Sequence, residues 1–306
     1  MKYFYYSSIF LLYISILYLF PGCIGNNPYH PALPKPTHES PLISIFQANQ
    51  SLTEEETERK NQARAQLKTL PFNTKDMNEK QLRIAIACYV ELEDLNTAII
   101  YLERLLIHVS DENALKPLRL QLADLYFEIG NFAKAGKHYA LFKSFYPGSE
   151  EREYVQYKEI LCRFYEVLAA NKDQTKTKHA LLLAEAYLAE KEIFIEYRND
   201  VTIIKHECKK LLAQHEVDVF NTNMMVNNIK GAEKRLNYLK SNYEAYVTPE
   251  DILRLEITLD EHKGESIESL AKKHTQLDQL ITAHQSKNES IILAHQSKKK
   301  SAIERF

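Results

Sequence analysis

The sequence predicts an all-α protein, folded as a solenoid of about five helical hairpins. The chain of 306 residues has only seven glycines and no tryptophan, a composition that argues against a strand-and-turn architecture. From about residue 53 onward the apolar residues recur at helical spacing, and no stretch with the period of a strand competes with them. Ala98 and Ala135 hold the same place in two consecutive helical pairs and lie 37 residues apart, which is typical of a helical repeat.

An apolar leader opens the chain and ends at a cysteine. Residues 3–20 carry no charge, and the pair Pro21-Gly22 ends the run. The length lies between that of a cleaved signal peptide and that of a membrane-spanning helix. The four residues FPGC, which end at Cys23, are similar to a bacterial lipobox. We favour a lipoprotein signal peptide over residues 1–22 with a lipid attached to Cys23. The alternatives are an uncleaved anchor and a plain secretory signal, and each of them also places the body outside the cytoplasm.

Residues 23–52 follow as a proline-rich tether. The stretch NNPYHPALPKPTHESP has five prolines in sixteen residues. Proline restricts φ and favours extended conformations, which predicts a semi-stiff connection between the membrane and the body. Plain disorder is the alternative interpretation of this segment.

The charge and the cysteines argue against two classes of protein. A formal net charge of −2 gives no electrostatic support to a nucleic-acid partner. Beyond Cys23 there are three cysteines, Cys88, Cys162 and Cys208, each inside a helical pattern. An odd number of widely separated cysteines does not indicate a disulfide framework, and we expect buried free thiols.

The body begins with a charged helix, followed by a first helical pair. Thr53 is placed to cap this helix and Glu56 to return the hydrogen bond. Its few apolar residues predict a position on the surface. Residues 82–106 form the first pair, in which Glu93 occupies the turn.

The clearest repeat lies between residues 114 and 147 and has the spacing of a tetratricopeptide repeat. Small residues let two helices cross closely, glycine lets the chain turn, and proline ends the second helix. The residues that carry the pattern are Ala123, Tyr126, Gly130, Phe132, Ala135, Tyr139 and Pro147.

Two further helical pairs cover residues 152–192 and 201–243. Thr248 and Pro249 then start a last helix, with a hydroxyl cap and proline at the first helical position. Stacked pairs bury faces that none could bury alone, so we predict one tetratricopeptide-like solenoid over residues 53–262.

Three stretches of the third and fourth pairs carry a family resemblance. They are NKDQTKTKHA at residues 171–180, LLAQHEVDVF at residues 211–220 and GAEKR at residues 231–235. Over roughly residues 78–262 the chain resembles the outer-membrane assembly lipoproteins of the BamD type. The family motif falls on Asp173, Gln174, Thr175, His215, Glu216 and Arg235.

The resemblance implies a non-catalytic protein that is lipid-anchored at the periplasmic face of the outer membrane. It implies two kinds of partner, a β-barrel insertase and unfolded outer-membrane proteins, and no cofactor. The alternative is a general periplasmic tetratricopeptide scaffold for cell-wall or secretion machinery. We interpret the triplet at residues 173–175 as structural, with a cap from Asp173 or Thr175 and a bond across the turn from Gln174. Direct contact with a partner is the alternative.

The first helix of each pair is predicted to line a groove for an extended peptide. The candidate residues are Arg83, Ala87, Val90, Glu91, Asp124, Phe127 and Glu128. Toward the other end, charged residues supply a second candidate surface, for an insertase domain. These are Lys209, Lys210, Glu216, Lys234 and Arg235. The alternative for both sets is an ordinary solvated surface.

No motif indicates catalysis or metal binding. The pairs His206-Glu207 and His215-Glu216 lack the second histidine that a zinc site needs four residues further on. The chain has no glycine-rich phosphate loop and no nucleophile elbow.

Residues 263–306 are predicted to form a polar helical or frayed tail. The sequence AHQSK recurs there with a period of eleven residues, which matches three helical turns. We favour a loosely docked or frayed helix, with contact to a partner or to anionic lipid as the alternative.

Overall fold

A computed structural model describes residues 53–303 of the chain. Cys23, the predicted leader and the predicted tether lie outside the described residues. The described residues form eleven α-helices and no β-strand. This confirms the prediction of an all-α protein.

The helices follow one another with short connections. The first five are α1 (Glu54–Lys68), α2 (Glu79–Glu91), α3 (Leu95–His108), α4 (Glu112–Glu128) and α5 (Phe132–Phe145). The other six are α6 (Arg152–Tyr165), α7 (Thr175–Ala189), α8 (Arg198–Met225), α9 (Ile229–Tyr243), α10 (Pro249–Lys263) and α11 (Ile267–Ile303). Each helix packs on the next one along the chain. From α2 to α11 they form five consecutive hairpins, so the predicted tetratricopeptide-like stack is confirmed.

Helix α1 packs on α2 at the start of the stack. Its N-terminus has the predicted capping box, in which the Glu56 N–H donates to Thr53 Oγ1 over 3.2 Å and the Thr53 N–H donates to Glu56 Oε2 over 2.8 Å. Only Ala63 of this helix is fully buried. The mostly polar, exposed helix therefore covers the end of the stack, as a capping element of a repeat protein must.

Three of the five hairpins turn by the same device. A residue in the left-handed region ends the first helix, at Glu93 (φ 60°), Gly130 (φ 73°) and Asn227 (φ 57°). The next residue is Asp or Asn, and its side chain accepts the N–H three residues further on. These caps are Asp94, Asn131 and Asn228. The expected turn at Gly130 is thus observed, and Glu93 takes the same conformation without being glycine.

The second and third hairpins approach each other closely. Ala123, Ala135 and Tyr139 are fully buried in the main core. A Cβ atom on Gly136 would lie 3.1 Å from the Cβ of Cys162, so a larger residue at this position of α5 would push against α6. Helix α5 ends at Phe145, two residues before Pro147. The small residues and the proline therefore stand where the repeat pattern predicts them.

Helix α11 turns back along α10 after Gly264, which has φ 75°. Lys273 Nζ lies 2.6 Å from Asp260 Oδ2, His284 Nδ1 lies 3.2 Å from Glu250 Oε1, and Leu277 is buried. The first half of the predicted tail is thus the second helix of the fifth hairpin. No helix in the described range combines the length and the apolarity needed to cross a membrane.

Candidate functional site

The predicted groove residues of α2 are held by neighbouring side chains. Arg83 Nη2 lies 2.8 Å from Glu79 Oε1, one turn earlier on the same helix. Glu91 Oε1 lies 3.5 Å from Arg59 Nε, which belongs to α1. Val90 is half-buried against the main core, whereas Ala87 is exposed. At this end of the stack, α1 covers part of the surface that the sequence assigned to a peptide.

The candidate Asp124 on α4 joins three helices. Its Oδ1 accepts hydrogen bonds from the hydroxyl of Tyr139 on α5, over 2.6 Å, and from the hydroxyl of Tyr154 on α6, over 2.8 Å. Burial raises the pKa of the Asp124 carboxyl, and the two hydroxyl donors oppose this effect. One oxygen of the carboxylate therefore accepts hydrogen bonds that link helices within the stack.

Phe127 and Glu128 lie beside Asp124 and face a buried lysine of α6. The ammonium of Lys158 lies 3.9 Å from the centre of the Phe127 ring, and Lys158 is only 5% exposed. Burial lowers the pKa of Lys158, while the charges of Asp124 and Glu128 raise it. Burial also raises the pKa of Glu128.

Lys158 was not predicted from the sequence as a site residue. The feature of the sequence that points to its burial is its spacing, because it lies one helical turn after Tyr154 and one turn before Cys162. In α6 every residue from Val155 to Cys162 is buried, including three polar ones. A lysine in the middle of such a run is a mark of a special site, since lysines are almost never fully buried without a partner.

Helix α6 also contacts the start of the fourth hairpin. The rings of Tyr157 and Tyr197 stack with centres 4.2 Å apart. The Tyr157 hydroxyl donates to Asp200 Oδ2 of α8 over 3.1 Å. The first helices of three consecutive hairpins, α4, α6 and α8, thus meet along one side of the stack, which we call the first-helix face.

The predicted triplet forms the turn of the third hairpin. Gln174 is 3% exposed, and its Nε2 donates to the carbonyl oxygens of Ala169, Ala170 and Lys172 over 2.8, 3.2 and 3.0 Å. Its Oε1 accepts from the Thr177 hydroxyl over 2.7 Å. Asp173 Oδ1 accepts from the N–H and the hydroxyl of Thr175. The bond of Gln174 across the turn is observed, whereas the cap position of α7 is Gln174, which makes no side-chain capping bond, and the N–H that Asp173 accepts is that of the first helical residue, Thr175.

The other family-motif residues gather around the same turn. His215 Nδ1 on α8 lies 2.6 Å from the carbonyl oxygen of Ala170, which also accepts from Gln174. Because a carbonyl oxygen can only accept, Nδ1 is the nitrogen that carries the proton. Beside it, the nearly buried Glu216 lies 3.3 Å from Arg235 Nη1 on α9. Residues more than sixty positions apart in the sequence are thereby joined into one connected set.

The charged candidates of the fourth hairpin differ in their surroundings. Lys209 Nζ lies 3.1 Å from Glu185 Oε1 of α7. Lys210 and Lys234 are exposed, and the Arg235 side chain is 47% exposed. The ion pair with the buried Glu216 engages one nitrogen of the Arg235 guanidinium, and the rest of the side chain stays open to solvent.

The three cysteines of the described chain lie inside helices of the stack. Cys88, Cys162 and Cys208 are free and buried, as predicted. Burial raises the pKa of the Cys162 and Cys208 thiols to about 12. Within the described residues no group of three or more His, Cys, Asp or Glu side chains is arranged to hold a metal ion.

The fold and these contacts define a helical-repeat protein of the tetratricopeptide-like class. A family model described as YfiO, outer membrane lipoprotein, matches residues 75–277, which is more than half of the chain. The chain belongs to this family. The match runs from just before α2 into α11 and includes the whole connected set around Ala170. No curated protein matches the chain.

Proposed function

We propose that the protein is a non-catalytic outer-membrane lipoprotein of the β-barrel assembly machinery. It binds a barrel insertase and unfolded barrel precursors at the periplasmic face, and a lipid on Cys23 anchors it there. The observation that carries this proposal is the family match over residues 75–277, an outer-membrane lipoprotein family. The resemblance of the motif residues to the BamD type supports the finer assignment.

The two kinds of partner use different parts of the stack. Helix α2 and the first-helix face take precursors, through the groove candidates Arg83, Val90, Glu91, Asp124, Phe127 and Glu128. The fourth hairpin takes the insertase, through Lys210, Lys234 and Arg235. Arg235 is the best single residue to test, because Glu216 holds its guanidinium in place while leaving it open to solvent.

Affinity purification from detergent-solubilised envelopes tests the insertase contact. The tagged full chain should recover a β-barrel insertase, and Arg235→Ala should reduce the recovered amount by about tenfold. Lys230→Ala is the matched control, since Lys230 is exposed on the same helix and makes no hydrogen bond or ion pair within the described part of the chain. Recovery of cell-wall or secretion components without an insertase would instead support the general scaffold.

Mass spectrometry of the amino-terminal peptide tests the anchor. The mature chain should begin at Cys23 with two or three acyl chains, because a single chain binds membranes only marginally. Cys23→Ser should retain the leader and lose the lipid. An acylated wild-type peptide is incompatible with a plain secretory signal, and an unprocessed Met1 would contradict the proposed anchor.

A further inference from the structure

The ammonium of Lys158 is a buried cation without a hydrogen-bond acceptor. The centres of the Phe127 and Tyr154 rings lie 3.9 and 5.6 Å from Nζ. In the part of the chain that the structure describes, no acceptor lies within hydrogen-bond or ion-pair distance of this nitrogen. Buried polar groups in native proteins are nearly always paired, so three free donors at this position require an explanation.

The nitrogen nevertheless remains open to the outside. In the described chain, two side-chain nitrogen atoms are completely buried from solvent and have no hydrogen-bond partner. They are Arg104 Nε and Arg163 Nε. Lys158 Nζ also has no hydrogen-bond partner in the described chain, but unlike those two atoms it is not completely buried. The 5% of Lys158 that is exposed to solvent therefore includes the ammonium group. A ligand on the first-helix face could therefore reach it.

Two acidic residues of α4 determine which ligand fits. Asp124 and Glu128 both act on the charge of Lys158, and they lie one turn apart on the same side of α4. Glu128 is only half-buried and has no hydrogen bond or ion pair of its own in the described chain. The site thus offers donors from Lys158 and an open acceptor from Glu128, beside the aromatic surface of Phe127.

This combination selects an uncharged amide. A carboxylate would meet two carboxylates for one ammonium. A basic side chain has no acceptor for the free donors of Lys158. An amide has an acceptor for Lys158 and a donor for Glu128, and it adds no charge to a partly buried site. The main chain of an extended polypeptide has such amides at every residue.

We infer that Lys158 and Glu128 bind the main chain of an extended client segment on the first-helix face. Lys158 donates to a carbonyl oxygen of the client, and Glu128 accepts an N–H from it. This inference rests on the proposed binding of precursors and specifies how they are held: by their backbone, independently of a free terminal carboxylate. Such recognition suits a protein that must accept many sequences.

Binding of synthetic peptides to the detergent-solubilised full chain tests the inference. The probe is an uncharged, fluorescein-labelled peptide of about ten alternating apolar and polar residues, the length of a transmembrane strand. It is made with a free carboxylate, with a terminal amide, and with N-methyl groups on alternate residues. We expect the free-acid and amide forms to bind alike. We expect the N-methylated form to bind about tenfold more weakly, because one edge of the strand loses its donors.

Lys158→Met should weaken binding of the acid and amide forms by about tenfold. Its melting temperature should stay within about 2 °C of the wild type or rise, because the desolvation cost of the ammonium outweighs its attraction to Asp124 and Glu128 and is removed with it. Lys134→Met is the matched control. Lys134 also lies over an aromatic ring, with Nζ 4.8 Å from the centre of Tyr126, but it is exposed and already bonded to the Tyr126 hydroxyl.

The possible results separate this inference from the proposed function. Equal binding by wild type and Lys158→Met would overturn the role of Lys158 and leave client binding intact. A free acid that binds tenfold more tightly than the amide would identify a carboxylate site and overturn the inference in the same way. A large fall in the melting temperature of Lys158→Met, with unchanged peptide affinity, would make Lys158 a structural residue. No binding of any peptide by the wild type would contradict the proposed function as well.

Discussion

The hydroxyl of Tyr139 on α5 donates a hydrogen bond of 2.6 Å to the carboxylate of Asp124 on α4. Tyr154 on α6 donates to the same oxygen, so one carboxylate joins the two helices of the second hairpin to the first helix of the third. Tyr139 is fully buried. This relationship makes Asp124 a residue of the stack's interior as well as a candidate for contact with clients.

Replacing Asp124 by leucine should lower the free energy of unfolding by about 2–4 kcal/mol. Two buried or half-buried tyrosine hydroxyls would then lose their acceptor, and each unsatisfied group costs about 1–3 kcal/mol. Urea denaturation followed by circular dichroism measures the change. Asp124→Asn is the control, because an amide oxygen can still accept from both hydroxyls. Equal stability of the leucine variant and the wild type would mean that these hydrogen bonds do not support the stack.

The raised pKa of Asp124 predicts a pH dependence with a definite sign. A carboxyl group whose folded-state pKa is raised contributes its full stability at pH below the unfolded-state value, and this contribution is lost as pH rises through the folded-state pKa. The Asp124→Asn variant lacks this ionisation. The stability of wild type relative to Asp124→Asn should therefore fall as the pH rises from about 4 toward 7. Melting temperatures across this range test it, and a trend in the opposite direction would contradict the burial effect.

Gln174→Leu should destabilise the protein by about 2–3 kcal/mol, although it adds an apolar side chain. The variant would leave three carbonyl oxygens and the Thr177 hydroxyl without the amide that joins them. Lys172→Ala, which removes an exposed side chain in the same turn, should change stability by less than about 0.5 kcal/mol. Thermal unfolding of both variants measures the two changes in stability. A loss of partner binding without loss of stability would favour the contact role of the triplet.

Two hairpin turns should both favour glycine, so that adding a glycine at one and removing it at the other change stability in opposite directions. Asn227→Gly should stabilise the protein by about 0.5–1 kcal/mol, because Asn227 has φ 57° and glycine adopts this conformation without strain. Gly130→Ala should destabilise it by about 1 kcal/mol. A Cβ at Gly130 would meet no atom within 4 Å, so this effect isolates the backbone strain at φ 73°. Chemical denaturation of the pair gives the comparison, and the same sign for both would contradict the turn conformations.

The buried cysteines should resist thiol reagents in the folded protein. Because burial raises the pKa of Cys162 and Cys208 to about 12, almost no thiolate is present near neutral pH. Maleimide labelling, read by peptide mass spectrometry so that Cys23 is counted separately, should modify both residues only after addition of urea. Rapid labelling of Cys162 in native protein would show that α5 and α6 open readily at their closest approach.

Local features of the fold could be predicted because they are encoded within a few neighbouring residues. Thr53 and Glu56 form their box, Gly130 turns the chain, and Thr248 caps α10, since each of these interactions spans at most four positions. The candidate site was less accessible to prediction. Glu91 and Asp124 carry the expected charges, but sequence periodicity does not reveal that Arg59 and two tyrosines already engage them.

The amino-acid sequence was sufficient to predict the helices, the first four hairpins, most of the turn residues and the motif of the family. Which of these residues contact one another depends on how the hairpins pack. Gln174 and His215 share the carbonyl oxygen of Ala170, and Lys158 of α6 lies against the Phe127 ring of α4. The physical reason is distance along the chain. Hydrogen bonds within a turn follow from local spacing, whereas contacts between hairpins depend on the angle at which each helix packs on the next.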